Sequence, residues 1–215
     1  MSKLLGFIRG YDHDTWLVTK NPLVSSGCRG NDIWRPPDSD IIKLNFDASY
    51  FPEKKLTIPA VLARDSRGKV VGADTYLLED VGDAFVAEAR ACERALLFAS
   101  MMGFRRLIVE GDSLTVIKSI MKKEEDRSVL RPIIFHIQYL QQLFEEVTYT
   151  YVPRAINRAA HVLALEGRRR GVCGNWIAGI PESVLRRAGW LILDVETVIL
   201  QALGVSFALI LIVSF

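Results

Sequence analysis

From Lys43 to Ser49 (KLNFDAS) polar and apolar residues alternate: Leu44, Phe46 and Ala48 fall on one side, and Lys43, Asn45, Asp47 and Ser49 on the other. Side chains of a strand point to opposite faces in turn, so the stretch predicts a short strand with a carboxylate at its centre. Strands are poor in Asp unless it has a purpose, and Asp47 therefore asks for partners. Taken alone, it also fits the polar outer face of an edge strand. Ala60 to Arg64 (AVLAR) and Lys69 to Leu78 predict two further strands around the turn DSRG, in which Asp stands early and Gly last. The three strands make an antiparallel meander.

The period then changes. Ala84, Ala87, Ala91, Ala95, Phe98 and Met102 recur at three and four, which predicts a helix ending at Gly103. Its alanine-rich face fits close against a sheet. Arg105 to Gly111 predicts a fourth strand that leads into Asp112-Ser113 and a helix from Leu114 to about Lys123. Arg131-Pro132 opens a helix reaching Glu146, with Ile133, Ile137, Leu140 and Phe144 inward. Val147 to Val152 is a fifth strand. Arg154 to Arg169 is a last helix, capped at Asn157, with Ala160, Leu163, Ala164 and Gly167 inward. The order β-β-β-α-β-α-α-β-α is an α/β architecture: a mixed five-stranded sheet flanked by helices, with parallel pairing across the strand–helix–strand step.

Composition adds limits. With 215 residues, half of them hydrophobic, the chain can build one sizeable domain with extensions. Cys28, Cys92 and Cys173 are isolated, which argues against a disulfide framework or a zinc finger and suits an intracellular reducing compartment, nucleus or cytoplasm. Cys92, on the helix stripe, reads as a small core residue. A net charge of +2 neither announces nor excludes a nucleic-acid binder.

Residues 1–38 lack periodicity and read as a loosely ordered leader, with Trp34 as its anchor on a domain spanning 39–170; an extension, 171–188, follows. The apolar run at the N-terminus is too short for a signal peptide. The tail, 189–215, is strongly apolar and carries no charge after Glu196, over close to the roughly 20 residues that cross a bilayer. It reads as translated non-coding sequence, as a membrane anchor flanked by Arg186 and Arg187, or as a core helix.

The candidate chemistry is acidic. Asp47 is on the first strand, Glu88 is in the first turns of the first helix, and Asp112 is where the fourth strand ends. If the first and fourth strands are neighbours, Asp47 and Asp112 lie side by side, within reach of Glu88. Three close carboxylates repel, so they need a cation, and all-oxygen ligands suit Mg²⁺ or Mn²⁺. Two such ions about 4 Å apart can activate a water and stabilise a leaving oxygen in phosphodiester cleavage. More plainly, Asp112 or Ser113 fits a helix cap, and Glu88 an ordinary helix acid. His13 and His136 show no partner pattern.

KLNFDAS, VLARDSRGKVVGA, VAEARACERAL, LIVEGDSLTVI and VPRAINRAAHVLA, in this order after the lead-in WRPPDSD, resemble the ribonuclease H-like domain family found in many copies in plants, over Trp34 to Gly167. The resemblance implies a ribonuclease H fold and a two-metal nuclease that hydrolyses the RNA strand of RNA–DNA hybrids, leaving a 5′-phosphate and a 3′-hydroxyl. It places Asp47, Glu88 and Asp112 at three of the family's acids. The fourth acid belongs to a pattern like NxxADxLA, and there this chain has His161. Asp47, Glu88, Asp112 and His161 are thus the candidate catalytic and metal-binding set, because a neutral imidazole can ligate a metal or shuttle a proton. Such an enzyme senses the 2′-hydroxyl, for which Asn45, Ser49 and Ser113 are candidate contacts.

The departures are a missing glycine-rich turn after the first strand, a missing histidine in the loop VPRAI, and no basic handle beyond KKEEDR. Hybrid affinity then falls to Lys118, Lys122, Lys123, Arg154 and Arg158. The alternatives are a catalytically weak, domesticated nucleic-acid-binding domain, or an exonuclease- or integrase-like relative. The domain is expected to be a monomer.

Overall fold

A computed structural model describes residues 33–122, 129–171, 174–175 and 180–188. The expectations for most of the leader, for Lys123 with most of KKEEDR, and for the whole tail 189–215 lie outside the described residues. Among those described, no helix is long and apolar enough to cross a membrane.

Three antiparallel strands, Ile42–Phe51 (β1), Leu56–Arg64 (β2) and Val70–Thr75 (β3), lead into helix Ala84–Met101 (α1). Strand Arg106–Gly111 (β4), helix Leu114–Met121 (α2), helix Arg131–Leu140 (α3) and strand Glu146–Tyr151 (β5) follow. Helix Arg158–Arg170 (α4), a two-residue strand Gly174–Asn175 (β6) and helix Glu182–Arg187 (α5) complete the order. The mixed five-stranded sheet is present, and β6 adds a short sixth strand beside β3, giving the order β5-β4-β1-β2-β3-β6. β4 runs parallel to both β1 and β5.

The element boundaries differ where pairing overrides local pattern. β2 starts at Leu56 because its antiparallel register with β1 continues to Phe51, leaving a tight turn over 52–55 with Lys55 at φ 51°. β3 stops at Thr75, although Leu78 keeps one isolated bridge to Thr57. The helix from Arg131 ends at Leu140 rather than Glu146. A 3-10 turn, Gln141–Leu143, follows, and Glu146 is already paired with Arg106.

Helices cover both faces. Leu44, Phe46, Leu107 and Val109 pack with the alanine face of α1 and with Ile117, Ile133 and Ile137. On the other face, Ala60, Leu62 and Ala73 pack with Ala159, Leu163 and Ala164 of α4 and with Val184 of α5. Small residues set this spacing: a Cβ on Gly167 would come within 2.9 Å of Ile58 Cγ2. Cys92 is buried in the first core, where desolvation pushes its thiol pKa up. β1 is therefore a central strand, not an edge, and its polar face lies under α4. Asn45 and Asp47 are wholly buried.

Candidate active site

The register explains why the acids meet. β1 pairs with β4 only as far as Asn45 opposite Glu110, and β4 ends at Gly111. Continuing that register by two residues sets Asp47 opposite Asp112, just beyond the last ladder pair. There the sheet is open on one side of β1, so a side chain from α1 on one face and one from α4 on the other can reach the same point. This is the carboxyl end of the parallel strands, where α/β sheets place their sites. Gly111 keeps the junction narrow: a Cβ there would overlap the Phe46 ring.

One carboxylate oxygen each from Asp47, Glu88 and Asp112 lies within 4.8 Å of the others. Asp47 Oδ1 accepts from the Ala48 backbone N–H at 2.7 Å, and Oδ2 lies 2.7 Å from His161 Nδ1. Arg154 leaves the end of β5 and reaches over the cluster. Its Nη1 is 3.4 Å from Asp112 Oδ2, and its Nη2 is 2.9 Å and 3.1 Å from the two ring nitrogens of His161. The tautomer with its proton on Nδ1 donates to Asp47 and leaves Nε2 to accept from Arg154.

Burial and like charge act in one direction on the acids. Desolvation, then Asp47 and Asp112, hold the Glu88 carboxyl well above the usual range. Desolvation and Asp47 push Asp112 up to about 6, against the lowering influence of Arg154 and His161. Glu88 Oε2 is buried and has no hydrogen-bond partner. A buried oxygen without a partner, on a carboxylate that lies within 4.8 Å of two others, is a group that a cation would satisfy. The three acids therefore fit a hard divalent ion with oxygen ligands.

The candidate nucleic-acid contacts divide. Asn45 is fully buried, donates to Glu110 Oε2 at 2.8 Å and accepts from Arg64 Nη2 at 2.7 Å. The open face expected of it is covered by α4. Ser49 is buried two residues beyond Asp47 on the same face, and Ser113 is the N-cap residue of α2 without a side-chain cap bond. Arg154 is at the acids themselves, and Arg158, exposed, stands one turn before His161 on α4. Lys118 and Lys122 lie farther along α2 and at its end.

Asn157 occupies the N-cap position of α4 but does not cap it. Its amide donates instead to the Phe46 carbonyl at 2.7 Å, and its oxygen lies 3.3 Å from Asn45 Nδ2. It thereby ties the start of α4 to β1, one turn before His161.

Trp34 does anchor the lead-in. The Arg64 guanidinium lies 3.4 Å from its ring centroid, and its Nε1 donates to Glu110 Oε2 at 3.2 Å. Lys43 closes the group with an ion pair to Glu110 at 2.9 Å. Burial lowers the Arg64 pKa to about 10, with Glu110 opposing. The sequence signals for this group were an Arg ending an apolar strand and a Glu directly before Gly111-Asp112. His136, without a sequence partner, pairs with Glu93 at 2.6 Å.

The fold is similar to that of solved ribonuclease H structures. The chain superposes on the RNase H1 of the halophilic archaeon Halobacterium salinarum with a TM-score of 0.56 and 24% identity, over 60% of this chain and 98% of that one. LC11-RNase H1, isolated from compost by a metagenomic approach, gives 0.55 and 18% over 61% and 98%. The same enzyme solved in complex with an RNA/DNA hybrid gives 0.52 and 19% over 61% and 97%. At these identities the likeness establishes the ribonuclease H-like fold. No curated protein sequence matches the chain. A sequence model described as "Reverse transcriptase-like" matches residues 45–167, from the buried face of β1 to the close-packing Gly167 of α4. That is more than half of the chain, and the protein belongs to the reverse transcriptase-like family.

Proposed function

We propose that the protein is a metal-dependent endonuclease that hydrolyses the RNA strand of RNA–DNA hybrids. The observation that carries this reading is the acid cluster: three carboxylate oxygens within 4.8 Å, with a buried, unpartnered oxygen on Glu88. Such a set is costly to hold unless a cation completes it. Asp47, Glu88 and Asp112 would hold Mg²⁺ or Mn²⁺, with His161 beside them. When bound there, a divalent ion supplies Lewis-acid activation of water and stabilises charge on the leaving oxygen.

The chain's own groups have separable tasks. Asp47 is fixed from two sides by Ala48 N–H and His161, so its oxygens are aimed before anything binds. His161 bridges Asp47 and Arg154 and can hold a proton on the side of the cluster that faces solvent. Ser49 and Ser113 are the remaining hydroxyls near the acids for sensing a 2′-hydroxyl, and Arg158 extends positive charge outward from the site. Binding of a hybrid by one structural neighbour supports this substrate class.

The second reading is a nucleic-acid-binding domain of weak activity. The Arg154–Asp112 contact favours it, because a guanidinium already balances part of the acid charge. One experiment separates the two. A labelled RNA–DNA hybrid is incubated with Mg²⁺ or Mn²⁺ and either the wild-type protein or Asp47→Asn. Ion-dependent cleavage by the wild type that falls by about 100-fold or more in the variant is expected if Asp47 aims the reacting groups. Equal background from both, with hybrid binding retained, would overturn the nuclease and leave the binding domain.

A further inference from the structure

Arg154 roofs the acid cluster. Its side chain is 43% exposed and that of His161 25%, whereas those of Asp112 and Asp47 are 7% and 1% exposed. Solvent meets the guanidinium and the imidazole before it meets the acids. The guanidinium spans the two, from Asp112 Oδ2 to the His161 ring. The backbone around it is fixed: Val152 N–H donates to the Gly111 carbonyl at 3.0 Å, and Ile156 and Asn157 N–H donate to the Pro153 carbonyl at 2.8 Å and 3.1 Å. Movement of Arg154 is therefore a rotation of its own long side chain and needs no refolding of the loop.

We propose that Arg154 is a resident counter-ion of the acid cluster, which competes with the divalent ion for Asp112 and, once displaced, binds a phosphate of the nucleic-acid strand. The proposal rests on the reading of Asp47, Glu88 and Asp112 as an ion site. A guanidinium at 3.4 Å from Asp112 and a divalent ion on the same carboxylate repel, so occupancy by one weakens the other. Displaced outward, the guanidinium keeps a planar fork of donors suited to phosphate oxygens, at the place where a strand must pass to reach the acids. The chain thus holds its acids together while empty and turns the same cation toward the substrate when loaded.

The test uses the full-length protein without nucleic acid. Thermal unfolding is followed against Mg²⁺ and Mn²⁺ concentration for wild type, Arg154→Ala, Arg154→Gln and Arg154→Lys. The Ala and Gln variants are expected to be half-saturated at an ion concentration about fivefold or more below that of wild type, with Lys between. Binding of a fluorescent duplex of DNA with uncleavable 2′-O-methyl-RNA, at saturating ion, is expected to weaken in the Ala and Gln variants. If wild type is stabilised by the ions but the variants need the same concentration, the counter-ion role is overturned while the ion site stands. A shifted ion response with unchanged duplex affinity overturns the phosphate role. If no protein, the variants included, responds to either ion, the ion site and this proposal fall together.

Discussion

Asp112 keeps its proton up to about pH 6 because it is buried beside Asp47, and Glu88 is shifted in the same direction. A carboxyl whose folded pKa is raised gives stability that is complete below its unfolded value, 3.8 for Asp112, and is lost as pH rises through the folded one. Without divalent ions the wild type should therefore lose about 2 kcal/mol relative to Asp112→Asn between about pH 4 and 7. Chemical denaturation of both proteins across that range measures it; a constant difference would refute the shift. Gly111 is the second residue whose identity is forced. Replacing it with Ala puts a methyl group into the Phe46 ring, and overpacking of this kind costs about 1–3 kcal/mol. Urea unfolding of Gly111→Ala reads the loss, and an unchanged midpoint would mean that the ring gives way freely.

Among the elements, α4 is the one whose placement decides the site. Its inward face of Ala160, Leu163, Ala164 and Gly167 is buried as its period predicts, and this brings the helix close to β2 and β3. Its position along β1 is fixed by Asn157 on the Phe46 carbonyl. Removing that amide leaves a buried carbonyl unpaired, and Asn157→Ala should cost about 1–3 kcal/mol of stability. It should also reduce hybrid cleavage beyond what the stability loss explains, because His161 is positioned one turn later. Cleavage measured well below the variant's unfolding temperature separates the two effects; full activity there would show that His161 does not depend on this anchor. On the opposite edge of the same buried layer, Trp34 covers Arg64 and Glu110, so the lead-in is part of the folded unit and shields the polar face of β1 from water.

For the molecule as a whole, a net charge of +2 hides an uneven distribution. α4 lies along β1, with His161 at Asp47 and, seven residues on, Arg168 stacked 3.5 Å from the Phe51 ring centroid. Seven residues of helix span about 10 Å. Arg168, Arg169 and Arg170 end α4, and Arg186 and Arg187 end the adjacent α5, with Glu166 and Glu182 as partial partners. This surface compensates for the missing basic handle if a hybrid lies along α4. The double variant Arg168→Ala with Arg169→Ala should bind the hybrid more weakly and flatten the dependence of log affinity on log salt by about 1–2. Anisotropy at several salt concentrations checks this, and an unchanged slope would place the hybrid elsewhere.

Within the chain, periodicity determined most of the architecture, because alternation at two and recurrence at three and four are local consequences of backbone geometry. The strands through KLNFDAS and RRLIVEG, the alanine face of α1 and the inward residues of α4 were all legible this way, and the family resemblance added the set of acids Asp47, Glu88 and Asp112. Position across space was not. Asn45 has the same sequence context as any polar strand residue, and only the packing of α4 on that face buries it against Arg64 and Glu110. Asn157 looked like a cap, and a partner 111 residues away claimed its amide. The sequence alone determined the strands and helices that bear Asp47, Glu88 and Asp112, since their periods are local, and its resemblance to the ribonuclease H-like domains singled those acids out. Only the tertiary structure decided what balances their charge, because the meeting of Arg154, His161 and Asp112 depends on the ends of β4 and β5 and the start of α4 coming together, which no local pattern encodes.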